Sequence, residues 1–236
     1  MPLGYQTKQQ QVAISGVADL TIRSLLDRQQ YFDPDGIAEH LGISSAAWPM
    51  FGLLWPSGVQ LAAQMAQRPV CAGERVLEVG CGLALASLVS HRRGVDITAS
   101  DCHPLTAEFL AENLRLNGLE PMKYRYGHWA ETAATSSVDD CAQMSVTGRF
   151  DLIIGSDVLY ERDRDQSLAA FINRHAAANS EVWIVDPDRG NRTAFNRQMA
   201  MHGFDQHEQR LDCAESQNTA AYKGRLLTYS RRSQRA

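Results

Sequence analysis

Arg75-Val76-Leu77-Glu78-Val79-Gly80-Cys81-Gly82-Leu83-Ala84 restricts this chain more than any other stretch. The apolar run Val76, Leu77, Val79, bounded by Gly73 and Gly80, reads as a short buried strand. Leu83, Leu85, Leu88 and Val89 then recur at helical spacing until Arg92-Arg93-Gly94 ends the pattern. A glycine turn between strand and helix lets backbone approach a ligand closely and aims free N–H groups at it. The next apolar strand, Val95, Ile97 and Ala99, ends at Asp101, where a ribose-binding carboxylate sits in nucleotide folds. These residues predict a nucleoside-containing cofactor at the carboxyl ends of parallel strands.

Strand and helix signals alternate through most of the remaining chain. A helix is expected over Val59–Ala66, ending near Arg68-Pro69, and another from Pro104 to Asn117-Gly118. Met122–Tyr126 reads as a third strand and Phe150–Ser156 as a near-continuous apolar fourth. A helix buries Leu168, Phe171 and Ile172, and Glu181–Val185 is the fifth strand. A helix from about Thr193 to His202 precedes two closing strands near Asp205–Leu211 and Ala221–Ser230. Such alternation implies an α/β fold with a mostly parallel sheet covered by helices on both faces. Residues 1–47 are less regular: Leu20, Ile22 and Leu25-Leu26 suit a short strand, and Asp33-Pro34-Asp35-Gly36 is a turn. This region reads as an amino-terminal extension or cover, 48–230 as the main domain, and 231–236 as a basic tail. Ala130–Thr147 lacks periodicity and reads as a loop or insertion.

Composition bounds the function classes. At 236 residues one α/β domain can hold a single core. A net charge of −4 offers no global basic field for nucleic acid, and no apolar run approaches the ~18 residues of a membrane span. Met1–Gln11 is polar, unlike a signal peptide, so a cytoplasmic location is expected. The five cysteines, Cys71, Cys81, Cys102, Cys141 and Cys213, are scattered, without zinc-ligand spacing, and read as free thiols with no metal site. Cys81, between the two glycines, and Cys102, after Asp101, are expected to line the pocket without chemistry of their own. Trp48 and Trp55 read either as core or, for Trp55, as a ligand cover.

A dinucleotide loop requires a small residue where this chain has Leu85; the small residue is Ala84, giving Glu-x-Gly-x-Gly-x-Ala from Glu78. That spacing resembles the glycine loop of S-adenosylmethionine-dependent methyltransferases. With Trp55-Pro56-Ser57-Gly58, Trp129 after strand three and Asp157-x-x-Tyr160 after strand four, the chain resembles class I, seven-strand methyltransferases. The resemblance is narrower to the branch containing protein-lysine methyltransferases and their bacterial relatives, and covers about Trp48 to Leu227. It implies a doubly wound, Rossmann-like seven-stranded sheet of order 3-2-1-4-5-7-6 with strand seven antiparallel. It also implies S-adenosylmethionine as cofactor, held by Gly80, Cys81 and Gly82 through backbone and by Asp101 at the ribose, with Glu78 and Cys102 expected in the same cofactor-binding set. Trp129 would lie near the adenine, Ser156 below the methionine portion, and Trp55 over the cofactor. His128 stands where relatives more often carry Asp or Asn for the adenine amino group; a neutral imidazole can accept that bond.

Asp157 is expected to hold and orient an acceptor amine, and Tyr160 to add a hydroxyl or an aromatic wall. Asp186-Pro187-Asp188-Arg189 either shapes the substrate entrance or forms a turn with an ion pair capping the next helix. The resulting expectation is an N-methyltransferase acting on a lysine side chain of a protein. A small amine or pyridine acceptor is the alternative, followed by a nicotinamide-dependent oxidoreductase and a non-catalytic binding protein. Nucleic acid is not expected as substrate, because Ser156–Tyr160 replaces the Asn/Asp-Pro-Pro-Tyr/Phe of adenine-methylating enzymes.

Overall fold

A computed structural model describes residues 4–130, 145–160, 165–214 and 221–232. Most of the expected loop 130–147, the charged run 161–164, Cys141 and the last residues of the basic tail lie outside the described residues. Nine strands and six α-helices are described: β1 (Thr7–Val12), β2 (Leu20–Leu25), α1 (Ile37–His40), α2 (Pro56–Gln67), β3 (Arg75–Val79), α3 (Leu85–Arg92), β4 (Asp96–Asp101), α4 (Thr106–Leu116), β5 (Lys123–Tyr126), β6 (Phe150–Ser156), α5 (Ser167–His175), β7 (Ala176–Asp186), α6 (Arg192–Met201), β8 (Asp205–Arg210) and β9 (Arg225–Arg231). A short 3-10 helix, Trp48–Gly52, precedes α2.

The sheet order is β5-β4-β3-β6-β7-β9-β8, with β9 running antiparallel to the other six strands. Counted from the glycine-loop strand this is 3-2-1-4-5-7-6, the order the resemblance implied. Parallel registers pair Val79 with both Ser100 and Gly155, and Asp101 with Tyr126. The chain therefore leaves β3, β4, β5 and β6 at one edge, bringing Gly80, Asp101, Gly127 and Ser156 together. Val76, Leu77, Val79, Leu152, Ile153 and Ile154 are all buried, as central strands covered on both faces require. One core packs α2, α3 and α4 with the amino-terminal segment; the other packs α5, α6 and β9.

Several boundaries differ from the sequence expectation for local reasons. Helix α4 begins at Thr106 rather than Pro104, because Asp101 and His103 accept backbone N–H bonds and hold the chain in a turn. Strand β7 starts at Ala176, before the apolar run, through a polar extension paired to β6 across a register shift. Strand β1, Thr-Lys-Gln-Gln-Gln-Val, buries only Val12 and so shows no alternating pattern. It is a strand because β2 pairs with it, from Thr7↔Leu25 to Val12↔Leu20.

The hairpin β1–β2 docks on α4 through side-chain amides. Asn117 Oδ1 accepts the Thr21 N–H at 2.9 Å, and its Nδ2 donates to Thr21 O at 2.8 Å. One helical turn earlier, Asn113 Oδ1 accepts the Arg23 N–H at 2.8 Å and its Nδ2 donates to Arg23 O at 3.3 Å. Two asparagines thus satisfy the free edge of β2 as a neighbouring strand would. Asn113 is fully buried, so removing its amide strands backbone groups away from water. Asn113→Ala is expected to lower unfolding free energy by about 1–3 kcal/mol. Urea denaturation measures this, and an unchanged midpoint would refute the docking role.

Candidate active site

The glycine loop adopts the left-handed backbone that its sequence requires. Gly80 has φ 58° and Gly82 φ 50°, and a Cβ on Gly82 would stand 2.9 Å from the backbone oxygen of Phe51. A Cβ on Gly80 would meet Val158 at 3.0 Å and the Trp129 ring at 3.3 Å. The missing side chains keep the loop surface open between these walls. Ala84 also lies in the left-handed region, at φ 58°, and caps α3. That conformation costs an L-residue roughly 1–2 kcal/mol, which explains why the position suits glycine. Leu85, by contrast, is the first residue of α3 and is buried.

Carboxylates tie the loop to the sheet. Asp101 Oδ2 accepts the Gly82 N–H and Oδ1 the His103 N–H, both at 2.9 Å. Burial pushes the Asp101 carboxyl upward while these N–H groups pull it back. A carboxylate offers about four lone-pair sites, so capacity remains for ligand hydroxyls. Glu78, the other buried acid, turns its Oε2 onto the Ser87 N–H at 2.9 Å and also accepts the Ser87 hydroxyl, locking β3 to α3. Its visible role is to hold the loop. Cys81 and Cys102 border the cavity as protonated thiols: burial raises Cys81 strongly and Cys102 to about 12.

The opposite wall comes from the amino-terminal side. Phe51 stacks on His103 with ring centroids 3.7 Å apart, and Trp48 meets both rings edge-on. Trp48 is core, whereas Trp55 faces the cavity with its Nε1–H bonded to Met50 O at 2.9 Å. Burial lowers His103 to about 3, so its ring is neutral. His128 and Trp129 follow β5; the buried His128 Nδ1 has no hydrogen-bond partner among the described residues. In the tautomer with its proton on Nε2, Nδ1 can accept from an exocyclic amine, which is the chemistry an adenine presents.

At the end of β6, Ser156 faces Gly58 and the chain turns sharply at Asp157, which has φ 56°. Aspartate tolerates this region better than most residues. The Asp157 N–H bonds to Val185 O at 2.8 Å, and Oδ1 receives Arg189 Nε at 2.5 Å. Neither expectation for the Asp186–Arg189 segment was complete. Arg189 crosses to Asp157, while Asp188 pairs with Arg192 in the first turn of α6. Asp186, beneath them, is raised to about 6, chiefly by burial. Tyr160 is 47% exposed at the rim.

One cavity of about 1160 Å³ is bordered by all twelve residues singled out from the sequence: Trp55, Glu78, Gly80, Cys81, Gly82, Asp101, Cys102, His128, Trp129, Ser156, Asp157 and Tyr160. Sequence reasoning missed Phe51 and His103, which form its floor on the cover side. His103 carried no signal beyond its position two residues after Asp101.

Glu78 is raised from 4.5 to about 7, mainly by burial, against the bonds from Ser87. The unfolded chain therefore releases this proton first. Stability from this group is highest below pH 4.5, falls as pH rises toward 7, and is level above. Relative to Glu78→Gln, wild-type unfolding free energy is expected to fall across this window, at up to about 1.4 kcal/mol per pH unit. Denaturant titrations at several pH values read the difference; a pH-independent difference would show that the proton is not bound.

Comparison with known proteins places this geometry. Over 144 residues the chain is 29% identical to the electron transfer flavoprotein beta subunit lysine methyltransferase of Rattus norvegicus, covering 60% of this chain and 51% of that one. It is 27% identical over 188 residues to the Danio rerio protein of the same name, covering 77% and 66%. The chain thus spans about half to two thirds of these relatives' length. A solved structure, magnesium protoporphyrin IX methyltransferase from Synechocystis PCC 6803 with bound SAM, aligns with a TM-score of 0.53 at 12% identity, covering 86% of each chain. The likeness at that identity is one of fold. The sequence pattern of the family described as lysine methyltransferase matches residues 40–200, over two thirds of the chain. This chain belongs to the lysine methyltransferase family.

Proposed function

We propose that this protein binds S-adenosylmethionine in the cavity beside the glycine loop and methylates the ε-amine of a lysine in a protein. The observation that carries the reading is the meeting, at one cavity, of the glycine loop with Asp101 and of the Asp157–Arg189 pair. Family membership and the relatives named for lysine methylation support it. The residues present fit the cofactor: the glycines leave a cradle, Asp101 retains acceptor capacity, and His128 Nδ1 is a buried ring nitrogen without a partner among the described residues. The residue in the left-handed turn is Ala84 and not Leu85, as Glu-x-Gly-x-Gly-x-Ala implies, which disfavours a dinucleotide.

The cofactor, when bound, supplies an electrophilic methyl group on a sulfonium. What remains for the chain is to orient the amine and exclude water. In this reading Gly80, Cys81 and Gly82 hold the cofactor through backbone, Asp101 takes the ribose hydroxyls, and His128 and Trp129 flank the adenine. Ser156 lines the methionine portion and Trp55 covers the mouth. Arg189 occupies Asp157 Oδ1, leaving Oδ2 to accept an N–H of the incoming amine and aim its lone pair. Because Arg189 already balances the carboxylate, Asp157 does not simply trap the acceptor as an ammonium ion. Tyr160 walls the lysine channel. Residues 48–230 form the methyltransferase unit and residues 1–47 its cover. The free thiols suit a reducing, cytoplasmic setting, and among the described residues no helix is long and apolar enough to cross a membrane.

Calorimetry with S-adenosylhomocysteine tests the cofactor assignment directly. Wild-type protein is expected to bind; a folded protein that does not bind would end this reading. Asp101→Ala is expected to weaken binding by roughly 10- to 100-fold through lost charge-assisted bonds. With tritiated methyl donor and cell extract, label is expected in the protein fraction; label only in small molecules would favour an amine or pyridine acceptor. Asp157→Asn is expected to lower transfer by roughly 100-fold while S-adenosylhomocysteine affinity stays near that of wild type.

A further inference from the structure

A second cavity, of about 670 Å³, opens on the other side of Trp55. It lies between the hairpin β1–β2 and the segment leading into β9. Arg28, Leu53, Trp55, Asp157 and Arg189 border both cavities, so the two share a wall that carries the proposed acceptor site. Asp157 thus borders this groove as well as the main cavity.

The charge of the groove is unlike that of the molecule. The chain carries a net charge of −4 and only three lysines, Lys8, Lys123 and Lys223. Two of these, Lys8 and Lys223, line the groove together with Arg28. Among the described residues none of the three has a carboxylate within ion-pair distance, and Arg28 lies over the Trp55 ring at 5.1 Å. Several cations elsewhere are paired: Lys123 with Asp96, Arg68 with Glu74, and Arg192, Arg210 and Arg225 with Asp188, Glu208 and Asp212. Within the groove Arg189 and Asp157 cancel each other, and Asp27 is the one other carboxylate. Asp27 bonds to the Gln29 N–H and to Gln30, and Lys8 lies near enough to help lower its pKa. Three cations against one carboxylate leave an excess positive charge of two.

Two of these cations, Lys8 and Lys223, stand on or beside hydrogen-bonded backbone. Lys8 lies in β1 opposite Ser24 of β2. Lys223 follows Tyr222, which exchanges two backbone bonds with Cys213 and bonds through its hydroxyl to Ser57 at 3.0 Å. The adjoining Gly224 N–H bonds to Asp212. Cations held without partners beside a binding cavity are poised for anions supplied from outside.

We infer that this groove is the acceptor channel and that Lys8, Arg28 and Lys223 select a lysine set in an acidic stretch of polypeptide. The inference rests on the reading of the protein as a lysine methyltransferase. Its chemistry is simple: flanking Asp or Glu side chains of the partner meet the rim while the lysine passes inward to Asp157.

The test uses the full-length protein saturated with S-adenosylhomocysteine and fluorescent peptides bearing one central lysine flanked by glutamate, serine or arginine. Anisotropy is expected to show the glutamate peptide binding roughly tenfold or more tightly than the serine peptide. That advantage should shrink as NaCl rises from about 0.05 to about 0.5 M. The double variant Lys8→Glu/Lys223→Glu is expected to abolish the preference while melting temperature and S-adenosylhomocysteine affinity remain those of wild type. A glutamate peptide that binds no better than the serine peptide would overturn the inference, as would an unaltered preference in the double variant. Competition by poly(U) as strong as by the glutamate peptide would also overturn it, by showing a general polyanion site. Wild-type protein that binds S-adenosylhomocysteine yet shows no acidic preference removes only this inference. Absence of S-adenosylhomocysteine binding removes the functional reading beneath it.

Discussion

The site depends first on one buried carboxylate. Asp101 ends β4, holds Gly82 of the neighbouring loop through one oxygen, and fixes His103 of its own turn through the other. A charged group in so dry a place is costly unless its oxygens are bonded, and both are. The same two bonds align the glycine loop with the sheet edge and set the imidazole against which Phe51 stacks. Loop, sheet edge and amino-terminal wall are thereby placed relative to one side chain. Glu78 does related work one strand away, where its bonds to Ser87 set the start of α3.

The amino-terminal segment is bound to this frame by unlike means at its two ends. Near the site, aromatic contacts among Tyr5, Trp48, Phe51 and Phe109 bury a large apolar area. Away from it, the amides of Asn113 and Asn117 stand in for a β-strand along the edge of β2. A helix can thus close a sheet edge, and the hairpin need not join the seven-stranded sheet to be held. Its position beside Trp55 makes it one bank of the groove that ends at Asp157.

Charge is distributed with the same economy. Asp188, Glu208 and Asp212 gather Arg192, Arg210 and Arg225 into a neutralised network. Asp157 is held by Arg189 at the junction of the two cavities. Lys8, Arg28 and Lys223, which have no carboxylate within ion-pair distance among the described residues, gather along the groove.

Phe51 and His103 of the main cavity were not legible in the chain alone, whereas the strand–loop–helix around Gly80, the acidic end of β4 and the sheet's element sequence were. Each rests on local chemistry: apolar runs make buried strands, glycines allow positive φ, and a carboxylate after a strand stays at that strand's end. Strand order came through family resemblance, since strand pairing is not a local property. Strand β1 was illegible because a partner, not its own residues, makes it a strand. The Asp157–Arg189 pair was equally hidden, for it joins the ends of β6 and β7 across 32 positions of sequence. The sequence by itself thus determined the fold class and the glycine loop between β3 and α3. Only the tertiary structure decided which cations meet which carboxylates, because side chains distant in sequence become neighbours only when the sheet closes.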